Sequence, residues 1–222
     1  KYASEDYIIG LSTTRSIDQI IFILAILKTG KAYLPIDFKY PKSRIEKIIS
    51  NSKLNFCLTT DDEVALTKEY GLQILSNESA TITSNVKQQS AMSKNAAYIL
   101  YTSGSTGEPK GVCMGQGAAV NLINWQNRCS KASKGEYTLQ FAPLSFDVSF
   151  QEIMCTISTG GVLVLINDEQ RLDIVALIKL IEQHSIKRLF LPFVALQALA
   201  ETAVSFNVFP SSLNEIMTAG EQ

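Results

Sequence analysis

A loop of glycine and hydroxyl residues follows the apolar run at residues 97–101 and ends at Lys110. Small residues let a backbone approach a ligand closely, and successive backbone amides then form a concavity that binds anions. The serine and threonine hydroxyls add donors, and the lysine ammonium adds a mobile positive charge suited to phosphate. A solvated turn is the plain alternative for this composition. The lysine inside the loop and the apolar runs on both sides favour an anion-binding loop.

The spacing within this loop differs from two common catalytic motifs. The usual phosphate loop, G-x-x-x-x-G-K-[ST], places its lysine directly after the second glycine. Here Lys110 lies three residues after Gly107, and Gly111 follows it. The loop also lacks the G-x-S-x-G pattern, so a hydrolase nucleophile elbow is not indicated.

Residues 101–112 read Y-T-S-G-S-T-G-E-P-K-G-V. With one free position, this segment resembles the signature loop of the adenylate-forming, AMP-binding superfamily. In that superfamily the loop holds the β- and γ-phosphates of ATP, and the resemblance implies a catalytic role for Lys110. The residues to which it assigns ATP-phosphate contacts are Thr102, Ser103, Gly104, Ser105, Thr106, Gly107 and Lys110.

Asp147 is an isolated carboxylate at a predicted junction of strand and helix, with Phe146, Val148 and Phe150 around it. Aspartate is a favoured N-cap, and position alone favours that role. The F-D-x-S pattern, however, resembles the motif with which amino-acid-activating domains of nonribosomal peptide synthetases pair an aspartate with the substrate α-ammonium. A carboxylate in an apolar pocket is costly unless a cation meets it. A substrate acid that lacks the amine would leave this charge unpaired, at about 3–5 kcal/mol.

The same resemblance implies a substrate pocket and an adenine contact. D-V-Q followed by an apolar residue resembles pockets that take proline or another small apolar amino acid, and Gln151 stands where many relatives carry an aromatic. The segment T-A-G-E resembles the one whose backbone lies along the adenine, where glycine permits close approach. The implied pocket residues are Asp147, Val148, Gln151, Phe190, Met217 and Ala219, and the implied adenine-binding residues are Gly220, Glu221 and Gln222.

Composition limits the remaining possibilities. The 222 residues are 46% hydrophobic with a formal net charge of −1, so a sizeable core is expected and no basic stripe indicates nucleic-acid binding. No apolar run is long enough to cross a membrane. The four cysteines are widely spread and are typical of reduced, mostly buried thiols in an intracellular protein, so we expect a cytoplasmic location. The single histidine, His184, makes a histidine-based metal site improbable, and we expect no metal ligand in this chain.

The alternation of strands and helices predicts an α/β fold with parallel sheets and right-handed crossovers. Residues 60–94 are polar and predict a short helix, a strand near residues 72–75 and then a mobile linker. We therefore predict two parts. Residues 1–94 form a first α/β layer with the polar linker at its end, and residues 95–222 form an α/β layer with the ATP loop and the substrate pocket.

A second stretch, residues 27–37 with Tyr40 and Pro41 after it, resembles another superfamily motif in the form typical of amino-acid-activating domains. Glycine is usual at the position of Lys31 and proline at that of Phe38, and we expect this motif to build the scaffold. Gln116 stands where the family often has a histidine. The resemblance implies the parallel-sheet α/β layers of the large N-terminal part of an adenylate-forming enzyme, truncated at both ends.

The resemblance implies activation of an amino acid with ATP to aminoacyl-AMP, with release of pyrophosphate, in nonribosomal peptide synthesis. The aminoacyl group would then pass to a phosphopantetheine thiol on a carrier protein. Implied partners are carrier-protein and condensation domains, with no nucleic acid and no membrane. Implied cofactors are ATP and Mg²⁺, whose ligand is expected outside this chain. The alternatives are an acyl-CoA or aryl-acid ligase of the same superfamily and a fragment that is inactive alone.

Overall fold

The computed structural model of the protein describes residues 7–75, 95–103, 108–131 and 133–219. The chain forms two compact units, Lys1–Asn121 and Leu122–Gln222. The sequence places the division at residues 94 and 95 instead. The difference arises because the strand before the phosphate loop pairs with the sheet of the first unit and not with that of the second. The predicted linker at residues 84–93 lies outside the described residues.

The first unit contains a six-stranded sheet with helices. Its elements are β1 (Ile8–Ser12), α1 (Ile17–Lys28), β2 (Ala32–Pro35), α2 (Lys42–Ser52), β3 (Phe56–Thr59), a 3-10 turn (Asp61–Glu63), α3 (Val64–Glu69), β4 (Gln73–Ile74), β5 (Ala96–Ser103) and β6 (Pro109–Gly115). The strand order is β4-β3-β1-β2-β5-β6. Pairs among β1 to β5 are parallel, and β6 runs antiparallel to β5.

Local signals explain how the first unit begins its elements. Ser16 caps α1, because its hydroxyl accepts a hydrogen bond from the Gln19 amide at 3.2 Å. Gly30 has a φ of +75°, a conformation that glycine adopts readily, and it ends the turn between α1 and β2. Apolar side chains from the sheet and α2 then form the core: Leu34, Ile36, Ile45, Ile48, Leu54, Cys57 and Leu72.

The second unit contains a four-stranded, fully parallel sheet. The division between the units falls within α4 (Gln116–Cys129), and the elements that follow are β7 (Tyr137–Gln140), α5 (Asp147–Ser158), β8 (Val162–Leu165), α6 (Asp168–Leu172), α7 (Ile174–Gln183), β9 (Arg188–Pro192), α8 (Phe193–Phe206) and β10 (Glu215–Ala219). The strand order is β10-β9-β7-β8. β8 therefore lies on one side of β7, and the next strand in the chain, β9, lies on the other. The predicted α/β class is confirmed.

One predicted helix is two helices in the structure. The sequence predicts a continuous helix from residue 172 to residue 184, whereas α6 ends at Leu172 and α7 starts at Ile174. Asp173 causes the break, since its carboxylate accepts a hydrogen bond from the Ala176 amide at 3.0 Å and caps α7. The buried face of α7, with Leu177, Ile178 and Ile181, then packs in the core of this unit.

The thiols divide into two exposed and two buried groups. All four cysteines are free, with Cys57 and Cys155 buried and Cys113 and Cys129 exposed. The expectation of mostly buried thiols thus holds for two of the four. Burial raises the pKa of Cys57 to about 12 and that of Cys155 to about 11. No helix among the described residues is long and apolar enough to span a membrane.

Alkylation at pH 8 is expected to modify Cys113 and Cys129 and to leave Cys57 and Cys155 unmodified in the folded protein. The thiolate is the reactive form, and the raised pKa values keep the two buried thiols protonated as well as inaccessible. Peptide mass spectrometry after iodoacetamide treatment measures this directly. The same reaction in guanidinium chloride serves as the control and should modify all four. Rapid labelling of Cys57 or Cys155 without denaturant would contradict the buried placement.

Candidate functional site

The predicted phosphate loop joins the two strands of a β-hairpin. β5 and β6 are antiparallel, with Thr102 opposite Lys110 and Ser103 opposite Pro109. Directly opposed residues project to the same face, with Cβ atoms about 5 Å apart. The side chains of Lys110 and Thr102 therefore project to the same face of the hairpin, and both residues are exposed, as is Ser103. The turn itself, with Gly104, Ser105, Thr106 and Gly107, lies outside the described residues.

Gly111 fixes the position of Lys110 on this hairpin. A Cβ atom at Gly111 would lie 3.1 Å from the ring of Tyr101, which is its cross-strand partner. The Tyr101 ring therefore packs against the bare backbone of the opposite strand. A larger residue at this position would displace the ring or separate the strands next to Lys110. Gln116, at the start of α4, donates from its backbone amide to the Asn95 carbonyl at 2.7 Å and so holds the base of the hairpin.

Helix α2 supports the hairpin on one side with basic residues. Arg44 Nη2 donates to the Tyr101 carbonyl at 3.4 Å, and Lys47 Nζ lies 2.7 Å from Glu108 Oε1. A cavity of about 140 Å³ separates helix and hairpin, lined by Ser43, Arg44, Lys47, Ser103 and Pro109. The Lys47 and Glu108 side chains are 48% and 60% exposed, so this ion pair adds little stability. It does hold the residue that follows the turn.

Asp147 is the first residue of α5 and does not cap it. Phe146 occupies the N-cap position without a side-chain cap hydrogen bond. A capping role for Asp147, which position alone favoured, is therefore not what the structure shows. The carboxylate lies at the positive end of the helix dipole, which favours its charge. Asp147 and Phe146 are both exposed, so the described residues do not enclose this carboxylate in the apolar pocket that the sequence predicts.

The position of Asp147 in the sheet topology is the one that binding sites of α/β proteins use. Ligands bind outside the carboxyl ends of parallel strands, where the strand order reverses. In the second unit this reversal occurs at β7, which pairs with β8 on one side and β9 on the other. The segment from the carboxyl end of β7 leads directly into Asp147. The predicted phosphate loop likewise follows the carboxyl end of a strand, β5.

A buried carboxylate holds the segment between β7 and α5. Glu152 is 0% exposed and lies on the second turn of α5. Its Oε1 accepts from the Phe141 amide at 3.1 Å, and its Oε2 accepts from the Ala142 amide at 3.0 Å and from Gln140 Nε2 at 3.3 Å. Charge-assisted bonds of this kind are stronger than neutral ones. Glu152 thus fixes the chain just before Asp147.

The remaining predicted pocket residues come together around α5. Val148 and Gln151 lie within one turn of Asp147, so the three share one side of the helix start. The Gln151 amide donates to Gln126 Oε1, and Gln126 Nε2 donates to the Met217 sulfur. Met217 is in register with the buried Phe190 on the neighbouring strand.

Two more of the residues that the sequence assigns belong to the end of the chain. Ala219 is the last residue of β10 and is in register with Pro192 of β9. The predicted adenine-binding residues Gly220, Glu221 and Gln222 lie outside the described residues.

Sequence reasoning missed three buried polar residues, Gln126, Glu152 and Arg188. Arg188 is 1% exposed and donates to Thr138 Oγ1 at 3.1 Å and to Thr156 Oγ1 at 3.0 Å, and burial lowers its pKa. Gln126 was detectable, because it continues the apolar face of α4 seven residues after Ala119. A polar residue at a core position of an amphipathic helix indicates a buried side chain with hydrogen-bond partners.

A family model described as AMP-binding enzyme matches residues 3–222. The chain belongs to the AMP-binding enzyme family. Members of this family are adenylate-forming ligases, and the hairpin carries their signature loop. Among the residues that the structure describes, no three histidine, cysteine or acidic side chains group together as a metal site. The exposed hydroxyls and ammonium fit a polyphosphate, whereas no magnesium ligand set is assigned within the described ranges.

The relatives of this AMP-binding enzyme include peptide synthetases. Gramicidin S synthase 2 of Brevibacillus brevis is 36% identical over 225 residues, covering 100% of this chain and 5% of the relative. Tyrocidine synthase 2 of Brevibacillus parabrevis is 32% identical over 221 residues, or 97% of this chain and 6% of the relative. The chain thus spans a small part of the length of these relatives.

A solved structure shows the same fold. The N-terminal subdomain of NpsA from Klebsiella oxytoca, in complex with 3-hydroxyanthranilyl-AMSN, matches with a TM-score of 0.80 at 24% identity. The match covers 96% of this chain and 53% of that chain. The two sheets and their helices are therefore the layers of the N-terminal subdomain of an adenylate-forming enzyme.

Replacing Glu152 with glutamine is expected to destabilise the fold by about 2 kcal/mol. The substitution keeps the shape but removes the charge and replaces one of the two acceptor oxygens with an NH₂ group. This group faces the Gln140 amide or a backbone N–H, which leaves at least one buried donor without its acceptor. Urea unfolding of the two proteins measures the free-energy difference. Glu182→Gln, on the exposed side of α7, is the matched control and should change stability by less than about 0.5 kcal/mol. Equal stabilities of the two variants would refute the proposed role of Glu152.

Proposed function

We propose that this chain is part of an amino-acid-activating adenylation domain of a nonribosomal peptide synthetase. The reaction is attack of an amino-acid carboxylate oxygen on the α-phosphorus of ATP, which forms aminoacyl-AMP and releases pyrophosphate. The aminoacyl group then passes to a phosphopantetheine thiol. The observation that carries the proposal is Asp147, a carboxylate placed at the end of the central parallel strand and engaged neither in a cap nor in an ion pair with any described residue.

The hairpin residues are the proposed contacts for the phosphates. Thr102 and Ser103 offer hydroxyl donors at the end of β5, and Lys110 offers an ammonium on the facing strand. Negative charge increases on the leaving pyrophosphate in the transition state. Donors that are already in position stabilise that charge without a cost of reorganisation. Lys110 is therefore the residue that we assign to transition-state stabilisation. We also propose phosphate contacts for Gly104, Ser105, Thr106 and Gly107, which lie outside the described residues.

Asp147 is the proposed contact for the substrate amine. The α-ammonium of an amino acid would form a charge-assisted hydrogen bond with its carboxylate. A fatty or aryl acid has no group for this contact. A single ion pair thus separates amino acids from other carboxylic acids, in the way that a site built for one polar group rejects substrates without it.

The pocket residues favour a compact apolar side chain. The start of α5 carries Val148 and Gln151, and Gln126 links Gln151 to Met217. Met217 is in register with the buried Phe190, and Ala219 is the last residue of β10, the strand that carries Met217. We propose proline or another small apolar amino acid as the substrate. The proposed cofactors are ATP, Mg²⁺ and a carrier-bound phosphopantetheine. The proposed partners are carrier-protein and condensation domains of a multidomain cytoplasmic synthetase.

Exchange of labelled pyrophosphate into ATP, driven by each of the twenty amino acids, tests the proposal in the intact protein that carries this chain. We expect proline or a small apolar amino acid to support exchange. Asp147→Asn should lower kcat/KM for that amino acid at least about 100-fold, because the ammonium loses its counter-charge. Asp18→Asn, also in the first turn of a helix, is the control and should leave exchange unchanged.

Two results of this assay would contradict the proposal. Full activity of the Asp147→Asn enzyme would remove the amino-acid assignment. Exchange or CoA-thioester formation driven by a fatty or aryl acid, with no response to any amino acid, would favour the acyl-CoA or aryl-acid ligase instead.

The 222-residue chain by itself is expected to form no adenylate. In the superfamily that the signature loop resembles, a small C-terminal domain with a catalytic lysine closes over the nucleotide, and the described residues contain no equivalent. Exchange measured with the chain and with the intact protein at equal concentration makes the comparison. Circular dichroism of the chain confirms that it is folded. Amino-acid-dependent exchange by the chain alone would refute this expectation.

A further inference from the structure

The end of α4 and the residue that follows it contact β10. Gln126, on α4, contacts Met217. Ser130, just beyond α4, donates to Glu215 Oε2 at 2.6 Å.

Gln126 is polar, yet it occupies a core position. Its side chain is 5% exposed. Both ends of its amide are engaged, since Oε1 accepts from Gln151 Nε2 and Nε2 donates to the Met217 sulfur. A buried amide is costly without partners, and the cost disappears when both ends are bonded. Gln126 thus connects two of the predicted pocket residues, although it is not itself one of them.

Gln151 and Met217 are long, flexible side chains, each with three rotatable side-chain bonds before its functional end. Unrestrained, such side chains sample several rotamers, and ordering one of them on binding costs roughly 0.5–1.5 kcal/mol. A bonded neighbour removes that cost in advance. Asn127 donates to Ser158 at 2.8 Å and independently holds α4 against α5, so Gln126 is presented from a fixed helix.

We propose that Gln126 is a positioning residue for amino-acid selection, which holds Gln151 and Met217 as fixed walls of the pocket. The inference rests on the proposed function, because it assigns selectivity to that same pocket. A fixed wall accepts a compact apolar side chain and excludes larger ones, whereas a mobile wall accommodates both. Gln126 acts through Gln151 and Met217 and does not itself contact the substrate.

Gln126→Met is the variant that tests this role, because methionine keeps the length and volume of glutamine, removes the donor to Met217 and offers Gln151 only a weak thioether acceptor. Pyrophosphate exchange in the intact protein should show a KM for the preferred amino acid raised about tenfold, the value of one net hydrogen bond. The preference for that amino acid over larger apolar ones should fall by a similar factor. The KM for ATP should stay within about twofold, since the phosphate hairpin does not contain this residue. Gln197→Met, on the exposed side of α8, is the matched control.

A double-mutant cycle separates positioning from general packing. If Gln126 acts through Gln151, adding Gln126→Met to Gln151→Met should change the amino-acid KM by less than about twofold. A purely structural role predicts that the two losses multiply. Should Gln126→Met not fold, Gln126→Leu lacks both hydrogen bonds and should lower the amino-acid preference in the same way. An unchanged preference in the leucine variant would overturn the inference.

The outcomes also separate this inference from the proposed function. If the wild-type protein shows no exchange with any amino acid, the proposed function fails. If the wild-type protein is active and Gln126→Met has unchanged KM and unchanged preference, only the positioning role of Gln126 is overturned.

Discussion

The carboxylate of Glu152 determines where Asp147, the proposed contact for the substrate amine, lies in the second unit. It is fully buried, and it binds two consecutive backbone amides at the end of β7 as well as the side chain of Gln140. Without an acceptor those amides would be buried donors with no partner, which costs about 1–3 kcal/mol each. The link joins the second turn of α5 to the strand that precedes it. The start of α5, and with it Asp147, therefore has one position relative to the sheet.

In each unit, the proposed binding residues lie at or after the carboxyl end of a parallel strand. In the second unit, Asp147 follows the carboxyl end of the central strand β7, where the strand order reverses. In the first unit, the predicted phosphate loop follows the carboxyl end of β5, which runs parallel to β2. β6 then turns back antiparallel and places Lys110 opposite Thr102. β5 thus carries the hydroxyls of Thr102 and Ser103, and the adjacent strand β6 carries the ammonium of Lys110.

The sequence predicts the features that depend on neighbours in the chain. Ser16 begins α1, the glycine- and hydroxyl-rich segment joins two strands, and Asp147 stands at a junction of strand and helix, because each is a local signal of residue type and spacing. The helix break at Asp173 is also local, but continuous apolar periodicity concealed it. Gln126 and Glu152 were missed because their partners lie 91 and 10 to 12 residues away in the chain. The residues that flank Gln126 and Glu152 in the sequence therefore do not reveal these contacts.

The polar residues around α5 also explain why this helix has a single position. Apolar burial is non-directional, so it does not by itself select one arrangement of the polar atoms. Hydrogen bonds are directional, because each requires a donor and an acceptor at a fixed distance and angle. Glu152 bonds the chain before the helix, and the buried guanidinium of Arg188 donates to Thr156 on the next turn.

On the side of the predicted pocket, Gln151 bonds to Gln126, which completes a third direction of restraint. A shift of α5 by one residue would break bonds on all three sides at once. Buried polar groups add less stability than apolar packing of equal volume, because their desolvation offsets much of the bond energy. Their effect here is on position: they fix the carboxylate of Asp147 and the side chain of Gln151 on one helix, at a defined spacing, before any substrate binds.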